Sequence, residues 1–109
     1  MGKFVITRRS NNEFQFNLKA ANHQVILTSQ GYSSLEACKN GIESTMKNGL
    51  VDGSFDRKTS NNGKHYFDLK ATNGQVIGKS EMYESKEAME NGIESVKKNV
   101  VAATLENQS

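Results

Sequence analysis

The chain has 109 residues and carries 14 Lys and Arg against 12 Asp and Glu, a formal net charge of +2. That is the size of one ordinary domain, and 35% hydrophobic residues leave it a lean core. No apolar run approaches the ~18 residues of a membrane span, and MGKFVITRRS lacks both the apolar core and the cleavage site of a secretory leader. One cysteine, Cys38, cannot staple a secreted fold, so the expected location is the reducing cytoplasm.

An internal duplication organises the rest. Shifted by 51 residues the chain aligns on itself without a gap, and 20 of 33 positions agree between 16–48 and 67–99. Such self-similarity marks a tandem repeat. Repeat one spans 3–51 and repeat two spans 54–105, within a single domain of 1–109; the tail 106–109 is expected to fray.

Each repeat reads as three strands and a helix. The first strand is Phe4–Thr7, followed by the polar turn Ser10-Asn11-Asn12. In the second strand Phe14, Phe16, Leu18 and Ala20 alternate with Gln15, Asn17 and Lys19, the period of a half-buried strand. Asn22-His23 then turns the chain into the third strand. A two-residue turn places Ala20 opposite Val25, Lys19 opposite Ile26 and Leu18 opposite Leu27; a three-residue loop exchanges Val25 and Ile26 between faces. Ser33-Ser34-Leu35-Glu36 has the form of a capping box, and Ala37, Cys38, Gly41, Ile42 and Thr45 keep the spacing of a buried helix face up to the stop at Asn48-Gly49.

Repeat two follows the same plan. Its strands begin at Phe55–Lys58 and turn at Ser60-Asn61-Asn62-Gly63, and Asn73-Gly74 is a stronger hairpin signal than its counterpart. The two-residue turn sets Asp68 opposite Lys79. Ser85 caps a helix whose apolar stripe is Ala88, Met89, Gly92, Ile93, Val96 and Val100. Gly41 and Gly92 stand inside helices, where glycine costs ~1 kcal/mol against alanine, so a close approach of backbone to sheet or helix is expected there. Residues 100–105 extend the helix or form a last strand.

Three strands and one helix cannot enclose a core. Two copies can, which gives an α+β domain: one antiparallel sheet covered on one face by two helices, with pseudo-two-fold symmetry.

The pattern F-x-L-K-A-x-N-x-Q-V-I followed by Y-x-S-x-E-A-x-x-N-G-I-E-S resembles the YegP-like family of small, mostly bacterial proteins. The likeness covers both repeats, residues 3–100. It implies two β-β-β-α-β units sharing one sheet, with Val51–Lys58 and Val100–Leu105 as strands that cross between units. That family has no established biochemical function, so the resemblance brings no catalytic or binding residue. This chain departs from the pattern at His23, where glycine is usual, and at Thr45-Met46.

The residues themselves nominate no catalyst. His23 and His65 occupy non-equivalent repeat positions, with no second cysteine and no metal-ligand spacing, so no metal or cofactor is expected. Cys38 aligns with Met89, which makes it hydrophobic filler. No nucleophile elbow, phosphate loop or dinucleotide fingerprint occurs, and the chain is not expected to be an enzyme.

One surface invites interaction. With both helices on one side, the open face of the sheet carries Asn17, Lys19, Tyr66, Asp68 and Lys70, with Ile26 and Ile77 beside them. Arg8, Arg9, Arg57, Lys58 and Lys64 flank it. The first reading is a non-enzymatic cytoplasmic binding module, monomeric and without membrane contact, using this face or a cleft along the pseudo-two-fold axis. The alternative is weak, sequence-nonspecific nucleic-acid binding through Lys19, Lys70 and the flanking turn cations, although Tyr66, matched by Gln15 in repeat one, makes no doubled stacking platform.

Overall fold

The computed structural model describes residues 2–109. Repeat one folds as β1 (Lys3–Arg8), β2 (Phe14–Lys19), β3 (Val25–Ser29) and α1 (Leu35–Asn48). A single 3₁₀ turn, Asp52–Ser54, leads into β4 (Phe55–Thr59), β5 (His65–Lys70), β6 (Val76–Lys79), α2 (Lys86–Asn99) and β7 (Thr104–Asn107). The strands form one sheet in the order β4-β5-β6-β3-β2-β1-β7. Five of the six neighbouring pairs are antiparallel. In the sixth, β7 lies parallel to β1, so the sheet is mixed at that edge.

The two repeats meet where β3 pairs with β6. Thr28 faces Lys79, its own counterpart in the second repeat, so the pseudo-two-fold axis passes through that pair. Beside it the repeats differ by necessity. Leu27 is fully buried, while its counterpart Gly78 has no room for a side chain: a Cβ there would stand 2.9 Å from the Thr28 carbonyl oxygen and 3.1 Å from Leu27 Cγ.

All four hairpins use one turn, and it has three residues rather than two. The Ala20 carbonyl accepts from His23 N–H, and Ala20 N–H donates to the Gln24 carbonyl, each at 2.9 Å. The same pair of bonds closes Ser10-Asn11-Asn12, Asn61-Asn62-Gly63 and Thr72-Asn73-Gly74. The third loop residue is left-handed in each, with φ between 68° and 85° at Asn12, His23, Gly63 and Gly74. The second is always asparagine, whose Oδ1 accepts from the backbone N–H two residues on.

This loop corrects the two-residue register. Lys19 faces Val25, and a bulge follows at Ile26 before Leu18 meets Leu27. Ile77 is the equivalent extra residue between the Lys70–Val76 and Asp68–Lys79 pairs, so the expected Asp68–Lys79 pairing stands. A bulge turns two successive side chains to one side. Ile26 and Ile77 are therefore in the core and not on the open face.

Beneath the helices lie two matching aromatic sets. Phe4 meets Phe16 edge-on at 5.7 Å and Phe16 stacks on Tyr32 at 6.3 Å; Phe55, Phe67 and Tyr83 repeat this at 5.4 and 6.5 Å. Phe16 and Phe67 are fully buried, each contributing about 1.5–3 kcal/mol of transfer free energy. Cys38 and Met89 fill equivalent core positions. Each helix starts on a serine whose hydroxyl accepts from the N–H three residues on, Ser34 from Ala37 and Ser85 from Ala88. Ser34, not Ser33, is thus the cap of α1. The mid-helix glycines make room for tyrosine, since a Cβ on Gly41 would come within 2.7 Å of Tyr32 Cζ and one on Gly92 equally close to Tyr83 Cζ.

The C-terminal segment crosses to the other repeat as the resemblance implies, but its strand starts later and runs into the tail expected to fray. The chain turns at Val100–Ala103, with Ala102 left-handed at φ 57°, and β7 then crosses to repeat one. Strand pairing continues through Asn107, and Gln108 N–H donates to the Ile6 carbonyl, so residues 106–108 are held to the sheet. β4, by contrast, pairs with β5 of its own repeat.

Candidate functional site

The open face was the surface nominated by strand alternation, and the structure sets its members in one row. Asp56, Asp68, Lys79, Thr28, Asn17, Val5 and Glu106 are successive neighbours across the seven strands. Lys19 and Lys70 lie on opposite sides of that row. Each is two residues beyond it on antiparallel strands three spacings apart, a separation of ~20 Å. They do not converge on one ligand.

Their neighbours neutralise most of the face. Lys58 Nζ is 3.0 Å from Asp68 Oδ2, Lys70 Nζ is 3.1 Å from Asp56 Oδ2, and Lys3 Nζ is 3.0 Å from Glu106 Oε1. Hydrogen bonding to Asp68 holds the Lys58 ammonium above the usual lysine range. Lys79 Nζ lies 5.2 Å from the Tyr66 ring centre and covers the one aromatic ring of this face among the described residues. Asp68 is only 3% exposed, and its Oδ1 has no hydrogen-bond partner among the described residues. Arg57 points away from this face: its Nε is 2.6 Å from Glu90 on α2, and its Nη2 is 3.2 Å from Asp52.

That ionic cluster separates the two edges of the sheet. At the β4 edge Arg57, Asp52, Glu90 and Lys97 bridge strand and helix, charges of the kind that guard an edge strand against pairing. At the repeat-one edge Ile6 replaces Arg57 and Met46 replaces Lys97. There an apolar hollow of about 260 Å³ lies between α1 and β7, with Phe4, Ile42 and Leu105 in its wall.

A larger depression lies on the helix side. A cleft of about 590 Å³ runs between α1 and the β5–β6 hairpin of the other repeat. Asn40 and Ser44 form the helical rim, Asn73 and Gln75 the hairpin rim, and Tyr32 and Ile77 line it below. None of its lining residues is charged, in a chain that is 24% charged. It continues past Ser44 into a hollow of about 450 Å³ bordered by Glu43 and Lys47. The pseudo-two-fold axis repeats the arrangement against α2, where Asn22, Asn91, Glu94, Ser95 and Lys98 line a hollow of about 550 Å³.

The duplication allows one copy to be weighed against the other. Of the sixteen residues lining the α1 cleft and its continuation, thirteen are identical in the opposite repeat. Of eight open-face pairs (Lys3/Ser54, Val5/Asp56, Thr7/Lys58, Gln15/Tyr66, Asn17/Asp68, Lys19/Lys70, Val25/Val76 and Thr28/Lys79) only Lys19/Lys70 and Val25/Val76 agree. Packing accounts for part of the identity. Gly41 seats Tyr32, Ile77 is core, and Asn48 Nδ2 donates to the Ser44 carbonyl at 2.9 Å.

Packing does not account for Asn40 and Asn91. Both are exposed in mid-helix and neither side chain has a hydrogen-bond partner among the described residues. Asparagine there costs about 0.5–0.7 kcal/mol relative to alanine. Sequence reading passed over these residues because each cleft is assembled from both repeats. The available signal was the same poor helix former kept in both copies.

Among the described residues no group of three or more His, Cys, Asp or Glu side chains is placed to hold a metal ion. His65 pairs with Thr59 in the sheet and His23 sits in a hairpin loop. Burial pushes the Cys38 thiol up from its ordinary range. Among the described residues no helix is long and apolar enough to cross a membrane.

Known proteins resemble this chain over nine-tenths or more of their length. The description of a domain of unknown function, DUF1508, matches residues 10–56 and again 60–106. UPF0339 protein PA0329 of Pseudomonas aeruginosa is 46% identical over 107 residues, covering 98% of this chain and 97% of that protein. UPF0339 protein YegP of Escherichia coli K12 is 42% identical over 108 residues, covering 99% and 98%. The solution NMR structure of E. coli yegP, a protein of unknown function, superposes with a TM-score of 0.93 over 98% of this chain and 92% of that one, at 42% identity. That of UPF0339 protein SO3888 from Shewanella oneidensis gives 0.91 over 97% and 90%, also at 42% identity. With both repeats matched and the fold shared from end to end, this chain belongs to the DUF1508 family, of the uncharacterised UPF0339 and YegP type.

Proposed function

We propose that this chain is a non-enzymatic binding module, a cytoplasmic monomer that takes its ligand in the clefts between each helix and the other repeat's hairpin. The observation that carries this reading is the distribution of identity between the two copies. Most open-face positions differ between the copies, whereas thirteen of sixteen cleft positions agree, the exposed Asn40, Glu43, Lys47, Asn73 and Gln75 among them. A concave site with a few convergent polar groups over an apolar floor, here Tyr32 and Ile77, is also the usual form of a small binding site.

Amide NMR mapping of the labelled protein tests it, with blocked short peptides, nucleosides and methyl glycosides as probes at millimolar concentration. Shift changes gathered on Asn40, Ser44, Asn73 and Gln75 are expected. Changes gathered on Lys19, Lys70 and Tyr66, or none in the clefts, would overturn the reading. The nucleic-acid alternative is disfavoured, because Lys70 is paired with Asp56, Lys79 occupies the Tyr66 ring, and Lys19 stands ~20 Å from Lys70.

A further inference from the structure

We infer that each cleft clasps an extended peptide segment by its backbone, so that one chain binds two such segments; this rests on the cleft reading above. The two rims carry the same functional group. Asn40 projects from the helix and Asn73 and Gln75 from the hairpin, all exposed. A primary amide offers an acceptor and two donors side by side, which matches the N–H and C=O of a peptide group whatever its side chain. Asn40 has no hydrogen-bond partner among the described residues. The Gln75 side chain has only a long contact, 3.4 Å, from Asn73 Nδ2. Asn73 Oδ1 is held by the Gln75 backbone N–H at 3.1 Å, so the hairpin rim offers the Gln75 amide and the Asn73 Nδ2 donors, and the helical rim the whole Asn40 amide.

The shape and charge of the cleft fit the same ligand. From Ala37 to Asn48 the helical rim runs ~16 Å, at 1.5 Å per residue. That accommodates about five residues of extended chain at ~3.3 Å each. An uncharged lining offers nothing to a phosphate or a metal ion. One face of the Tyr32 ring is taken by Phe16, with ring centroids 6.3 Å apart, so the ring is not a free platform for a sugar or base. The far end holds one carboxylate, Glu43, and one ammonium, Lys47, which balance each other.

The second site follows from the axis. Asn91, Asn22 and Gln24 are the counterparts of Asn40, Asn73 and Gln75, and Asn22 and Asn91 line the α2 hollow. The repeats thus present the same three amides twice, with Glu94 and Lys98 also lining the α2 hollow and Glu81 in the place of Gln30.

An acetylated and amidated alanine–serine pentapeptide, titrated into ¹⁵N-labelled protein while backbone and side-chain amides are followed, tests the proposal. Methyl α-glucoside and uridine serve as controls. Expected are shifts at Asn40, Asn73 and Gln75 together with Asn91, Asn22 and Gln24, saturating at two equivalents. Asn40→Ala and Asn91→Ala should each abolish one set and leave the other, and alanine at either place favours the helix, so lost binding cannot be lost folding. Cleft shifts with the glucoside or uridine but not the peptide would overturn the peptide class and leave the cleft reading standing. Saturation at one equivalent would overturn the pairing of sites. No cleft shift with any of the three would overturn both.

Discussion

The Tyr83 ring lies against the backbone of Gly92, so close that a Cβ on the glycine would come within 2.7 Å of Tyr83 Cζ. The glycine gives up helix propensity so that the tyrosine can stack on Phe67, at 6.5 Å between centroids. Gly92→Leu is expected to destabilise by about 1–3 kcal/mol through overpacking, despite better helix propensity. A double-mutant cycle isolates the cause. Gly92→Ala should cost stability in the natural chain, yet gain ~1 kcal/mol when Tyr83→Ala has cleared the space. Urea unfolding in which Gly92→Ala stabilises both backgrounds would contradict the packing account.

The hairpins make a second prediction. Gly63 and Gly74 hold φ 81° and 85° without strain, whereas His23 adopts φ 69° with a Cβ in place. His23→Gly should stabilise by about 0.5–1 kcal/mol, and Gly74→Ala should destabilise by a similar or larger amount. The midpoint of chemical denaturation reads both. If His23→Gly proved destabilising, the left-handed loop position would be misplaced.

A third concerns pH at the β4 edge. A hydrogen bond from Arg57 holds the Glu90 carboxyl below its usual range, and bonds from Lys97 and Arg57 do so for Asp52. A carboxylate depressed in the folded state binds its proton more readily when unfolded. Its contribution is thus complete above an ordinary carboxylate pKa of about 4 and disappears as pH falls through the folded value. Arg57→Met, which imitates the apolar repeat-one edge, should flatten that acid limb of the melting temperature and leave a smaller salt dependence. An unchanged acid limb would show that the cluster is solvated and idle.

A fourth follows from the axis. Gly78 yields space to Leu27, with only 3.1 Å between a would-be Cβ and Leu27 Cγ. Gly78→Ala should destabilise, and Leu27→Ala should cost less in that background than alone. Strict additivity of the two in unfolding experiments would contradict a shared space.

Much of this architecture is legible in the residues. The 51-residue shift, the period-two strands, the serine caps and the stripe from Ala88 to Val100 all correspond to observed elements. The bulge was not legible, because Val25-Ile26-Leu27 is apolar throughout and fits either face. The asparagine at the second place of every loop, Asn11, Asn22, Asn62 and Asn73, was the cue to a three-residue turn. The clefts were hidden for a different reason. Alternation sorts residues within one strand, and these walls join α1 to a hairpin some 30 residues further on. The parallel placing of β7 likewise depends on Ala102 turning left-handed, which no alanine advertises.

The central claim is that ligand enters on the helix side and not on the open face. It is tested most directly by NMR titration of four proteins with one panel of blocked peptide, glucoside, uridine and a short oligonucleotide at low and physiological salt. The four are the natural chain, Asn40→Ala, Asn91→Ala, and the pair Lys19→Glu with Lys70→Glu. The account predicts cleft shifts that each asparagine variant halves and the lysine pair leaves intact. Salt-sensitive shifts along Lys19, Tyr66 and Lys70, abolished by the lysine pair and untouched by the asparagine variants, would contradict it.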